Sequence, residues 1–172
     1  DDGAARTFRR PHVHKQMFAD PRHSRIVLIN PTRTERAGAP AELAERRCAS
    51  FALLPGIVEN FRMSALAVGD FDPSKMTNRA ANSINLLNAD VVTFWRDAEF
   101  GSMAAGEGNF VFLGGAWLEE EVLVASLEGV RLGYDVRLLT DLSSARIEAD
   151  RALALDRLAL HGVLPTTIRQ AM

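Results

Sequence analysis

The chain contains a single cysteine, Cys48, so no intrachain disulfide can form. That scarcity suits a reducing compartment. No apolar run approaches the ~18 to 20 residues that a membrane-spanning helix requires. Neither sign of charge dominates: 20 Lys and Arg stand against 22 Asp and Glu, a formal net charge of -2. A balance of this kind supplies no basic stripe for nucleic acid. Arg6, Arg9 and Arg10 form one small basic group, which reads as part of a tail. The start lacks the charged-then-apolar layout of a signal peptide, so the cytoplasm is the expected location. Repeats and low-complexity segments are missing too. Gly101, Gly106 and Gly108 have neither the spacing nor the Lys-Ser/Thr pair of a phosphate loop.

What is present describes one globular domain: 172 residues, 47% apolar and 24% charged. Residues 1–24 are polar and carry Pro11, Pro21, His12, His14 and His23, which reads as an N-terminal arm before a domain over 25–172. Arg25-Ile-Val-Leu-Ile-Asn-Pro31 predicts a fully buried parallel strand stopped by Asn-Pro. A short helix is expected over 40–48. Leu54, Ile57, Val58, Phe61 and Leu66 would line another in the region 49–71. Met76, Ala80, Ile84 and Leu87 have helical spacing within 73–88, with Asp72 or Ser74 as cap. Asp90 to Trp95 and Asn109 to Gly115 read as strands. The stretch Trp117 to Leu132 reads as a helix apolar around most of its circumference, hence covered on more than one side. A strand over 136–140, a helix over 144–161 and a strand over 163–168 complete the pattern. Alternation of this kind predicts βαβ units and a mostly parallel sheet covered on both faces.

The segment Gly115-Ala-Trp-Leu-Glu-Glu-Glu-Val122, with Leu132-Gly-Tyr-Asp-Val136 and Asp141 after it, resembles the C-terminal half of isochorismatase-like hydrolases. The resemblance spans residues 109–168 and, more weakly, 25–36. It implies a three-layer α/β/α, Rossmann-like fold with a mostly parallel sheet, with one strand weak or lost. In that family a strand and a glycine lead through a short turn into Cys-Val at a helix start. Here the cysteine slot holds Glu121. The family's aspartate after the first strand, which activates the thiol, corresponds to Asn30. Its lysine is absent under either of two alignments. One puts Phe94 at the lysine position. The other matches Thr93-Phe-Trp-Arg-Asp97 to a family segment ending in Arg-Asp-Trp-His and deletes the lysine-bearing strand.

An amide cannot accept a thiol proton, and a carboxylate is no thiolate. The resemblance therefore implies the family fold without the family chemistry: an oligomeric structural, regulatory or accessory subunit. Its expected partner is a second copy or a related catalytic subunit, with no nucleic acid and no membrane. The alternative is a cysteine-independent hydrolase, or a small-molecule sensor, using Glu121 as an acid and Asn30 to orient a small planar amide or carboxylate. That role requires a raised Glu121 pKa, expected of a half-buried carboxylate without a cationic partner. Phe94, Trp95, Asp97, Gly115 and Trp117 are the expected pocket residues. Nicotinamidase-like zinc binding would need Asp-x-His, which here is Asp97-Ala-Glu99, so neither metal nor cofactor is expected. Asp141, Ser143 and Ser144 suit a helix cap, and Cys48 a buried structural thiol.

Overall fold

The computed structural model describes residues 24–33, 39–103 and 110–171. The arm expected over 1–24, with its arginines and histidines, lies outside the described residues apart from Ser24. In chain order the elements are β1 (Ser24–Ile29), α1 (Ala41–Phe61), β2 (Ser64–Val68), α2 (Asn78–Asn82), β3 (Asn85–Leu86), α3 (Ala98–Met103), β4 (Phe110–Ala116), α4 (Leu123–Arg131), β5 (Asp135–Ser144), α5 (Arg151–Leu160) and β6 (Leu164–Thr166). The six strands lie in the order β3-β2-β1-β4-β5-β6, and every neighbouring pair is parallel. The edge strand β3 is reduced to two residues.

The unbroken apolar run of β1 is explained by cover on both faces. Ile26 and Leu28 enter one core with Phe51, Leu54 and Ile57 of α1. Val27 and Ile29 enter the other with Leu123 and Ala125 of α4 and Leu158 of α5. Phe112 and the pair Val111 and Leu113 divide β4 in the same way. The result is the three-layer α/β/α sandwich with a parallel central sheet.

Besides β5 running on to Ser144, so that the last helix starts at Arg151 rather than at 144, three parts differ from expectation. First, α1 runs for 21 residues, through Pro55. Two helices were expected, one over 40–48 and one within 49–71, yet Phe51, Leu54, Pro55 and Ile57 are all buried on this one helix. Burying side chains of that size contributes about 1.5–3 kcal/mol each, enough together to offset an interior proline costing about 3 kcal/mol. Leu66 belongs to β2 instead. Second, the helix expected over 73–88 is a 3-10 turn at Pro73–Lys75, the short α2 and the edge strand β3. Asp72 does cap it, accepting from the Ser74 amide at 3.0 Å.

Third, Asp90 to Trp95 is no strand. The Asp90 carboxylate accepts the amides of Val92 and Thr93 at 2.9 and 3.2 Å, and a 3-10 turn follows at Phe94–Arg96. An aspartate bonded to the backbone two and three residues on bends the chain there. Beyond it, Phe94, Trp95, Phe100 and Tyr134 form an aromatic cluster. The Trp95 indole donates to the Ala125 carbonyl at 3.0 Å, and its ring lies over Gly129, where a Cβ would fall 2.4 Å from Cζ2. Among the described residues, no helix is long and apolar enough to cross a membrane.

Candidate functional site

In open α/β sheets, ligands sit beyond the carboxyl ends of the strands, where the strand order reverses. Here that place lies between β1 and β4. Asn30 follows β1 in a left-handed conformation (φ 44°), which asparagine tolerates better than most residues. It is 2% exposed. Its amide nitrogen donates to the Ala116 carbonyl at 2.8 Å, and its amide oxygen accepts the Asp70 N–H at 2.8 Å. Its own N–H donates to the Val68 carbonyl at 2.9 Å. One side chain thus ties together the ends of β1, β2 and β4. An aspartate could keep the Asp70 bond but has no proton for Ala116.

Gly115 explains how close the strands come. Its φ is 121°, and a Cβ there would lie 1.8 Å from the Ile29 carbonyl oxygen. Only glycine fits this position. After the cis Ala116–Trp117 peptide, a π-helical turn over Leu118–Val122 leads into α4. That turn carries Glu119, Glu120 and Glu121, and each carboxylate has a different partner. Glu119 accepts the Ile147 N–H at 2.8 Å, and Glu120 pairs with Arg146 at 2.9 Å.

Glu121 is held from two sides. Arg33 Nη1 approaches Oε1 at 2.7 Å, and the Trp117 N–H donates to Oε2 at 3.1 Å. Arg33 is placed by the turn after β1, where its N–H donates to the Asn30 carbonyl at 3.1 Å. Its Nε reaches Asp70 at 3.0 Å. Burial alone would push the Glu121 carboxyl up, but the Arg33 and Trp117 hydrogen bonds outweigh it and hold the group below its ordinary value of 4.5. Burial likewise works against the charge of Arg33, and its bonds to Glu121 and Asp70 outweigh that, raising its pKa.

This corrects the expectation of an unpaired carboxylate with a raised pKa: Glu121 has a cationic partner and is ionised. The expected site residues divide into two groups. Asn30, Gly115, Trp117 and Glu121 meet at the β1/β4 ends, with Trp117 half-buried. Phe94 and Trp95 lie in the core beneath α4 rather than along a pocket wall. Asp97 caps the start of α3, accepting the Glu99 and Phe100 amides at 2.9 and 3.3 Å. Asp141 and Ser143 belong to β5, not to a helix cap. The Asp141 carboxylate accepts from Ser50 of α1 at 2.8 Å and from the Ile168 N–H at 3.0 Å. Cys48 is exposed on α1 rather than buried.

Arg33 and Asp70 are the members that sequence reasoning missed. The signal for Asp70 was the Gly69-Asp70-Phe71-Asp72 run closing β2, in a region read as helical. Gly69 takes φ 82°, and a Cβ there would fall 2.2 Å from the Asn30 amide oxygen. Among the described residues, no group of three His, Cys, Asp or Glu is arranged to hold a metal ion.

No protein-family model matches the sequence, and no curated protein matches it. Solved structures do. The ycaC gene product of Escherichia coli, described as an octameric hydrolase of unknown specificity, is similar with a TM-score of 0.67 at 16% identity, over 90% of this chain and 80% of that one. The nicotinamidase of Staphylococcus aureus is similar with a TM-score of 0.65 at 10% identity, over 84% and 99%. An isochorismatase-like hydrolase from Alkaliphilus metalliredigens gives a TM-score of 0.61 at 18% identity, over 86% and 95%. At such identities the likeness is one of fold. The chain has the fold of the isochorismatase-like cysteine hydrolases.

Proposed function

We propose that this chain is an isochorismatase-like protein without hydrolase activity, working as an oligomeric structural, regulatory or accessory subunit. The observation that carries the reading is the pairing of Glu121 with Arg33 at the slot where the family resemblance calls for a nucleophile. Asn30, at the slot of the base, spends both ends of its amide bracing strand ends. Covalent acyl transfer needs a nucleophile beside a base, and general acid catalysis needs a protonated acid at working pH. An ionised Glu121 locked by a guanidinium serves neither purpose. That weighs against the alternative in which Glu121 is an acid catalyst.

The oligomeric part rests on exposed apolar side chains. Val124 of α4 is 48% exposed, and Leu153 and Leu160 of α5 are 71% and 86% exposed. The E. coli protein of the same fold is described as octameric, which supports assembly here as well. The test is ammonia release from nicotinamide and other primary amides by the purified protein and by Glu121→Gln. Neither should exceed the buffer rate. Turnover by the native chain that vanishes in Glu121→Gln would refute the reading.

A further inference from the structure

The outward side of α5 carries side chains that the packing of the domain does not use. Ala154 and Leu158 are buried, and Leu155 packs on the same core, which fixes the inward side of the helix. Leu153 and Leu160 point the other way, 71% and 86% exposed. They stand about two turns apart, so they lie in one line along the helix. A single wet leucine is ordinary on a protein surface, whereas two in line make a seam.

Asp156 and Arg157 sit between the two leucines, and both are exposed. At about 100° per residue, Asp156 falls on one flank of the leucine line and Arg157 on the other. Several surface arginines are paired within the domain: Arg96 and Arg131 with Glu128, Arg146 with Glu120 and Arg151 with Glu148. Among the described residues, Asp156 and Arg157 have no such partner. The outward side of α5 is thus a leucine line with an acid along one edge and a base along the other.

That arrangement complements itself in one orientation only. Two copies of α5 packed in parallel about a two-fold axis bring the acidic flank of each against the basic flank of the other. Leu153 then meets Leu153, and Leu160 meets Leu160. An antiparallel pair would instead set Asp156 beside Asp156 and Arg157 beside Arg157, which repel. We infer that a second copy of this chain docks on α5 in the parallel sense, with leucine on leucine and Asp156 of each copy beside Arg157 of the other. The inference rests on the oligomeric part of the function proposed above and gives it a surface and an orientation.

Sedimentation velocity of the full chain at micromolar concentration tests it, with Asp156→Arg and Arg157→Asp as the variants. Unchanged melting temperatures serve as the check on folding. The native chain should sediment as an assembly. Each variant places like charges together on both flanks. Its assembled mass should fall to half or less, with the concentration for half-assembly raised about tenfold or more. An equimolar mixture of the two variants should assemble like the native chain, because one copy then offers two arginines and the other two aspartates. The double exchange, Asp156→Arg with Arg157→Asp in one chain, should also assemble. Its recovery keeps the test decisive if a single variant folds poorly. Single variants that assemble normally, or a mixture and a double exchange that both stay apart, would overturn the α5 contact and leave the oligomeric reading standing. A native chain of monomer mass would overturn both and leave this side of α5 to a different protein.

Discussion

Two neighbouring places at the carboxyl ends of the sheet have opposite character. Between β1 and β4 the ends are closed: Asn30 bonds across to Ala116 and Asp70, and Arg33 clamps Glu121 and Asp70. Beside α1, a few residues along the chain, a cavity of about 290 Å³ stays open with three cations on its wall. The difference teaches that the end of an open sheet where ligands usually sit can itself be braced by side chains. Substitutions in the closed place should cost stability. Substitutions of residues that line only the open one, such as Lys75, should leave stability nearly unchanged.

The sharpest way to break this contrast is Gly115→Ala. Its methyl would meet the Ile29 carbonyl, at a φ of 121° that alanine resists. A loss of about 4 kcal/mol or more is expected, read as a collapse of the urea midpoint. Asn30→Asp comes next. It keeps the acceptor for Asp70 but sets a carboxylate against the Ala116 carbonyl, for a loss of about 2–3 kcal/mol. A stability equal to native would mean that the bond to Ala116 contributes nothing.

Smaller is Glu121→Gln, at about 1 kcal/mol near neutral pH, and smallest is Lys75→Gln in the open cavity, within about 0.5 kcal/mol. The pH dependence gives Glu121→Gln a signature. The folded-state pKa of Glu121 lies below its ordinary value of 4.5. Its stabilisation is therefore fully present above 4.5 and is lost as pH falls through the lower, folded-state value. Native and Glu121→Gln proteins should converge in stability across that window as the solution is acidified. Parallel curves in urea titrations would contradict the assignment.

Much of the frame was legible because it depends on patterns that local sequence carries. The run Ile26 to Ile29 has no polar residue, so β1 had to be buried on both faces. Gly114-Gly115 and Gly133 marked where β4 and α4 stop. The middle of the chain was not legible, for identifiable reasons. The region around Pro55-Gly56 could not be assigned, and α1 runs through it because its side chains find the sheet, a tertiary effect invisible to local signals. Met76, Ala80, Ile84 and Leu87 satisfy a helical period by coincidence. Ala80, Ile84 and Leu87 are buried from three different pieces of backbone. Asn30 and Glu121 were named from the sequence, by the end of the first apolar run and the count from Gly115, and both lie at the β1/β4 ends. Their partners could not be named. Arg33 and Asp70 stand 37 residues apart and meet only because β1 and β2 are paired in parallel.

Glu121 and Arg33 are paired at 2.7 Å, and on the reading proposed above they form a structural clamp. A double-mutant cycle on Arg33→Met and Glu121→Gln, measured by urea unfolding at neutral pH, tests it directly. The account predicts that the double variant loses less than the sum of the single losses, with a coupling of about 1 kcal/mol. Strictly additive losses would show that the two side chains do not hold one another.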